Sequence, residues 1–228
     1  IVGSLIQKGY FFQFWFFGAL ILIYICLPIL KKFLNSRRSY LYILSVLLVI
    51  GLIFELTNIV LQMPVQTYVI QTFRLWTWFF YYLLGGFIAQ FDKDIIKNRF
   101  KRWMKVVVVL LLLISPMILF SIAKTTYHNL FAEYFYDILF VKVVSLGIFL
   151  TILTFTVNEK RSESIVSLSN QTMGVFIIHT YIMKVWEKLF GFSFVGSYLL
   201  FAIFTLSVSF IIVGMLMKIP YFNRIVKL

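Results

Sequence analysis

Lysine and arginine are sorted by position in this chain. Fifteen of the 21 lie in four short segments that separate long apolar runs. Lys31, Lys32, Arg37 and Arg38 form the first segment, and Lys93, Lys97, Arg99, Lys101, Arg102 and Lys105 the second. Lys160 and Arg161 form the third, and Lys218, Arg224 and Lys227 the last. Only Lys8, Arg74, Lys124, Lys142, Lys184 and Lys188 fall between them. A water-soluble fold spreads charge over its surface, whereas a polytopic membrane protein gathers basic residues in loops that resist translocation. The pattern therefore predicts class, helix order and orientation together.

Composition narrows the class further. Hydrophobic residues make up 62% of the 228 residues and charged residues only 13%, with a mean hydropathy of +0.98. That leaves too little polar surface for a soluble domain. A net charge of +13 would suit nucleic acid if it lay on one folded face. Here it lies in loops beside apolar runs, so the expected partners are membrane lipids and not nucleic acid. The one cysteine, Cys26, sits inside an apolar run, which excludes a disulfide framework and a thiolate metal site. The chain begins at Ile1 without a signal-peptide pattern, and the expectation is that upstream sequence is missing or the start is processed.

The predicted fold is all-α: a polytopic transmembrane bundle of about seven helices, forming a single membrane domain over 1–228. The spans are about Tyr10–Leu30, Leu41–Leu61, Thr72–Phe91, Val106–Ala123, Tyr136–Val157, Thr172–Phe190 and Ser197–Met217. Each apolar run approaches the roughly 20 residues that cross a bilayer core. Pro116 is expected to kink the fourth. With the basic loops cytoplasmic, residue 1 is external and the C-terminus cytoplasmic. The loops Gln62–Gln71, Lys124–Phe135 and Gly191–Gly196 are then external. The sixth span is the least regular, because Lys184, Glu187 and Lys188 crowd its outer end. A re-entrant or interfacial segment is the other reading, but omitting the span would put the basic C-terminus outside. No matched pair of interrupted helices of the inverted-repeat transporter kind is present.

Ionisable groups within lipid are expensive and so mark candidate sites. His179 lies mid-helix and can pass protons near neutral pH. Arg74 opens the third span and can fork onto a carbonyl, phosphate or carboxylate. Glu55 lies toward the outer end of the second span, three residues before Asn58. Each has a plainer role: a packed histidine, a snorkelling arginine, or a carboxylate paired with a nearby base. The aromatics around Arg74 read as an interfacial belt, Gly85 and Gly86 as sites of close helix approach, and His128 as a solvated loop residue. Arg99-Phe100-Lys101-Arg102 could hold the phosphates of a donor such as coenzyme A, but topology determination is the simpler account. Soluble catalytic signatures such as a phosphate-binding Gly loop, His-Glu-x-x-His or Gly-x-Ser-x-Gly are absent.

Phe12-Gln13-Phe14-Trp15-Phe16-Phe17, with its apolar run to Pro28, resembles the "His-Leu-Trp-Phe/Tyr-Leu … Pro" helix of the membrane acyltransferase-3 family. Arg74 through Tyr81-Tyr82-Leu83-Leu84-Gly85-Gly86-Phe87 resembles its "Arg … Tyr-Phe-Leu-Leu-Gly-Gly-Tyr" helix. Ser169 through Thr172-Met173-Gly174 to His179 resembles its "Ser … Thr-Leu-Gly-Ile-Tyr-Leu-Ile-His" segment, and Ile219-Pro220-Tyr221-Phe222 fits its final helix. The resemblance implies about ten spanning helices in the whole fold, of which this chain matches the last seven. Three missing helices from a cytoplasmic start would also account for an external residue 1. The family's upstream catalytic His has no counterpart here, and Gln13 stands where a His often precedes the Trp.

The implied function is an integral membrane acyltransferase that moves acetyl from acetyl-CoA to a hydroxyl of a cell-envelope polysaccharide, with no metal. The implied site residues are His179, Arg74 and Glu55: His179 for proton transfer, Arg74 for the glycan or the developing oxyanion. The expected partners are membrane lipids and the envelope glycan acceptor, with homo-oligomers allowed. The alternative function is a polytopic exporter or flippase of an exopolysaccharide.

Overall fold

A computed structural model describes residues 2–8, 12–128, 132–156, 158–190 and 197–221. Every described element is helical. The chain divides into two compact units, Ile1–Phe155 and Thr156–Leu228.

The first unit holds α1 (Val2–Leu5), α2 (Trp15–Phe33), α3 (Arg37–Leu61), α4 (Leu75–Ile88), α5 (Lys93–Arg99), α6 (Arg102–Thr125) and α7 (Leu139–Leu153). Short 3-10 turns at Phe12–Phe14, Val65–Tyr68, Gln71–Phe73 and Ala132–Asp137 join them. Helices α2, α3 and α6 are by length and composition able to cross a membrane, α2 together with the turn that precedes it. Helices α4 and α7 are apolar but shorter. The spans predicted as Thr72–Phe91 and Tyr136–Val157 are therefore trimmed at both ends. At the entrance to α4 the cause is local, since Arg74 has a non-helical backbone (φ −74°, ψ 55°) that stops the helix from starting earlier.

The walls of these helices are apolar and exposed. Leu113 and Met117 on α6 are 67% and 73% exposed, and Ala123 is the helix's one buried residue among those described. Such a continuous apolar exterior is stable only in hydrocarbon. Pro116 lies inside α6, which continues past it. Leu44, Phe80 and Leu83 form a core between α3 and α4, and Ala123, Tyr127, Phe135 and Ile138 form a second.

The second unit pairs α8 (Glu159–Phe190) with α9 (Ser197–Leu216) around Val175 and Val213. The sixth span was expected to start at Thr172, but α8 begins 13 residues earlier and runs unbroken for 32 residues. At 1.5 Å per residue it is about 48 Å long, more than the roughly 30 Å hydrocarbon core needs. Ser162 to Ser169 are all exposed. No proline or glycine lies between Glu159 and Met173 to end the helix.

Candidate functional site

In the first unit, α3 runs from the basic loop to Leu61, where α4 and α7 both begin. Buried polar side chains of α3, α4 and the turn before α7 converge toward this end, away from the basic segments that flank α3 and α6. Helix association in lipid gains little from apolar transfer, because lipid tails are as apolar as leucine. Polar links between helices therefore carry more of the architecture than they would in water.

Asp137 is the centre of these links and is 2% exposed. Thr77 donates its hydroxyl to Asp137 Oδ1, and the Trp76 indole donates to Oδ2 at 3.2 Å. Lys142 Nζ donates to the Asp137 main-chain carbonyl at 2.5 Å and lies 3.8 Å from Oδ1. The ammonium also stands over the Phe80 ring, 5.5 Å from its centroid. It fits against α3 because position 51 is glycine: a Cβ there would run into Lys142 Nζ. Trp76 stacks on Phe54 of α3 at 4.5 Å and 18°. Asp137 thus binds α4 to α7, and Lys142 carries the contact to α3. Both carboxylate oxygens are committed, which makes this group a brace and not a base.

The sequence candidates Arg74 and Glu55 lie at the same end. Arg74 is 3% exposed, and its Nε donates to the Val69 carbonyl at 3.0 Å. Glu55 Oε2 accepts the Leu139 amide at 2.9 Å and so caps the first turn of α7. The brace joins them indirectly: Thr77 is one turn from Arg74, and Leu139 is two residues from Asp137. Asn58, 1% exposed, accepts from the Val65 amide at 2.9 Å and donates to Gln66 at 2.7 Å, folding the turn that leads to Arg74. Tyr127, just beyond α6, is buried beside them. Burial pushes its phenol above the usual tyrosine range, the Glu55 charge adds to this, and a hydrogen bond to Asn58 opposes it.

His179 lies in the second unit, on α8. Its Nδ1 is 2.8 Å from the Phe176 carbonyl and 3.2 Å from that of Val175. A carbonyl only accepts, so Nδ1 carries a hydrogen, and in the neutral ring Nε2 keeps its lone pair. No described residue hydrogen-bonds Nε2. The imidazole is half-buried.

Sequence reasoning missed Asp137 and Lys142. The available signal was a lysine inside an apolar helix with an acid five residues before it. Gly85 also departs from expectation. A Cβ at Gly86 would meet the Tyr40 hydroxyl, as close packing requires, but a Cβ at Gly85 would meet no heavy atom within 4 Å. His128 is exposed as expected, as are Arg99, Lys101 and Arg102 around the buried Phe100.

Comparison with curated proteins and with solved structures returned no match. The acyltransferase-3 family model, described as an acyltransferase domain, matches residues 2–214 of the 228. That span takes in the helix opened by Trp15, the Arg74 turn and the His179 helix, so the chain belongs to the acyltransferase-3 family.

Proposed function

We propose that this protein is an integral membrane acyltransferase that moves acetyl from acetyl-CoA to a hydroxyl of a cell-envelope polysaccharide. Family membership supports the transfer class, and it favours transfer over the exporter reading. The observation that carries the residue assignment is the bond between His179 Nδ1 and the Phe176 carbonyl. It holds the imidazole in the tautomer whose Nε2 can act as a base. The acceptor hydroxyl gives its proton to Nε2 as its oxygen attacks the thioester carbonyl carbon. The carbon–sulfur bond then breaks, and the leaving thiolate recovers the proton from Nε2.

Arg74 is assigned to the glycan or to the oxyanion that develops on the carbonyl oxygen. Glu55 has one carboxylate oxygen without a hydrogen bond among the described residues, and that oxygen is assigned to an acceptor hydroxyl. The exposed cations Arg99, Lys101 and Arg102 are of the kind that hold donor phosphates.

The test is acetyl transfer from radiolabelled acetyl-CoA to isolated envelope glycan by the full-length protein. His179→Gln is expected to lower kcat by about 10²–10⁴-fold, the range of a lost general base. Wild-type rates at normal expression would remove His179 from the site. Orientation is tested separately by cysteine labelling in a Cys26→Ser background. Ser36→Cys is expected to react only after permeabilisation, and His128→Cys from outside.

A further inference from the structure

We propose that the cleft between α2 and α4 at the basic end of the first unit binds one acyl chain of an anionic phospholipid, with Lys31 at its headgroup. The cleft has a volume of about 720 Å³. Leu27, Lys31, Leu34, Tyr82 and Gly85 line it, and Lys31 is exposed. This reading is independent of the acyl-transfer assignment.

Three observations carry it. The first is Gly85. Cβ atoms added at Gly18, Gly51, Gly86 and Gly147 would each run into a neighbouring atom, so those glycines are places where elements touch. Gly85 has open space instead, and the missing side chain keeps the cleft empty. The second is depth. The lining on α4 runs from Tyr81 to Ala89, about 12 Å at 1.5 Å per residue. Half of a roughly 30 Å hydrocarbon core is close to that length, so the cleft is one leaflet deep.

The third is charge. Lys31 and Lys32 lie in the last turn of α2, Arg37 and Arg38 open α3, and none of residues 1–54 is acidic. The nearest acids along the chain after α4 are Asp92, which caps α5 by accepting the Asp94 amide at 2.9 Å, and Asp94 itself. An apolar slot one leaflet deep, opening beneath a cationic rim, matches a lipid with an anionic head. Tyr24 sets its ring edge-on to Tyr82 beside the cleft while remaining 55% exposed, so the flank of the site already faces hydrocarbon.

The test uses the full-length protein exchanged into nanodiscs of phosphatidylcholine with phosphatidylglycerol, followed by native mass spectrometry of retained lipid. Wild-type protein is expected to keep phosphatidylglycerol in preference to phosphatidylcholine. Gly85→Leu fills open space and is expected to lower retention of both lipids more than about tenfold, because several chain methylenes lose their site. Lys31→Gln, at an exposed position, is expected to leave chain binding in place and to cut the preference for phosphatidylglycerol about fivefold. Soluble glycerophosphate is expected not to compete, since it carries the headgroup without the chain. Equal retention of the two lipids by wild-type protein overturns the proposal. So does unchanged retention in Gly85→Leu, or full competition by glycerophosphate. A cleft covered by protein would show as no retained lipid at all, which also overturns it.

Discussion

The Asp137 cluster and the α8–α9 pair bond their buried polar groups differently. At the non-basic end of the first unit, Asp137 is bonded by Thr77, Trp76 and Lys142, so its polar atoms are satisfied across helices. In α8 and α9, His179 and Ser209 turn back on their own helix. His179 bonds to Phe176, and Ser209, wholly buried, donates to the Thr205 carbonyl at 2.6 Å. Cross-helix bonding braces a structure and uses up the chemistry of its groups. Local bonding leaves groups available: His179 Nε2 has no partner among the described residues, and neither the Trp186 indole N–H nor the Thr205 hydroxyl has one. The Asp137 arrangement suits a scaffold, whereas a group bonded only locally keeps an atom free to act on something.

The comparison predicts its largest effect at Asp137. Asp137→Ala leaves Lys142, 3% exposed, as a buried charge without its carboxylate. Breaking one side of a buried ion pair costs about 3–5 kcal/mol. Unfolding in detergent is expected to show a loss of that size. The double variant Asp137→Asn with Lys142→Met, which removes both charges, is expected to recover part of it. A neutral Asp137→Ala would mean that the first unit is not braced here. Trp76→Phe comes next. It retains a ring to stack on Phe54 but removes a hydrogen bond to a carboxylate, worth about 1.5–3 kcal/mol. A loss well below that range would shift the brace onto Thr77 and Lys142.

How far the sequence led follows from what each feature depends on. Helices α2, α3 and α6 were readable because each is a long apolar run bounded by charge or a turn, a property of the segment alone. The start of α8 was not, because Glu159 to Gln171 has no apolar run to mark it as helix. A helix needs no apolar face where its surroundings are aqueous, and nothing in that stretch breaks one. Helix α5 was hidden for a similar reason: its seven residues lie within a basic loop, where Asp92 supplies the cap. Arg74, Glu55 and His179 could be chosen because ionisable residues in apolar runs stand out. Asp137 could not, since it lies at a predicted helix start where an acid is ordinary. Its importance appears only when Thr77, some 60 positions away, is folded against it.

Tyr127 offers a test with a sign. A tyrosine whose folded pKa is raised holds its proton in the folded state after the unfolded chain has lost it. The folded state then binds more protons, so stability falls as pH rises. The contribution is fully present below the unfolded tyrosine pKa of about 10 and is lost as pH climbs toward the higher folded value. Tyr127→Phe is expected to cost about 1 kcal/mol at pH 7, the size of one hydrogen bond. It is also expected to flatten the decline above pH 10 in denaturant titrations. An unchanged alkaline slope would show that Tyr127 is not the group responsible.

The smallest effect is expected at Ser209, and it decides whether the contrast between the units is real. Ser209 is as fully buried as any residue described here. By burial alone its loss should rival that of Asp137. Its hydroxyl, however, bonds to a carbonyl one turn back on the same helix, a bond that forms wherever α9 is helical. Ser209→Ala therefore returns that carbonyl to its ordinary backbone bond, and the expected cost is below the roughly 0.6 kcal/mol average for a side-chain bond between membrane helices. Thermal unfolding in the same detergent as Asp137→Ala gives the ratio directly. If Ser209→Ala costs as much as Asp137→Ala, the second unit is cross-braced too, and the availability of His179 Nε2 loses its structural basis.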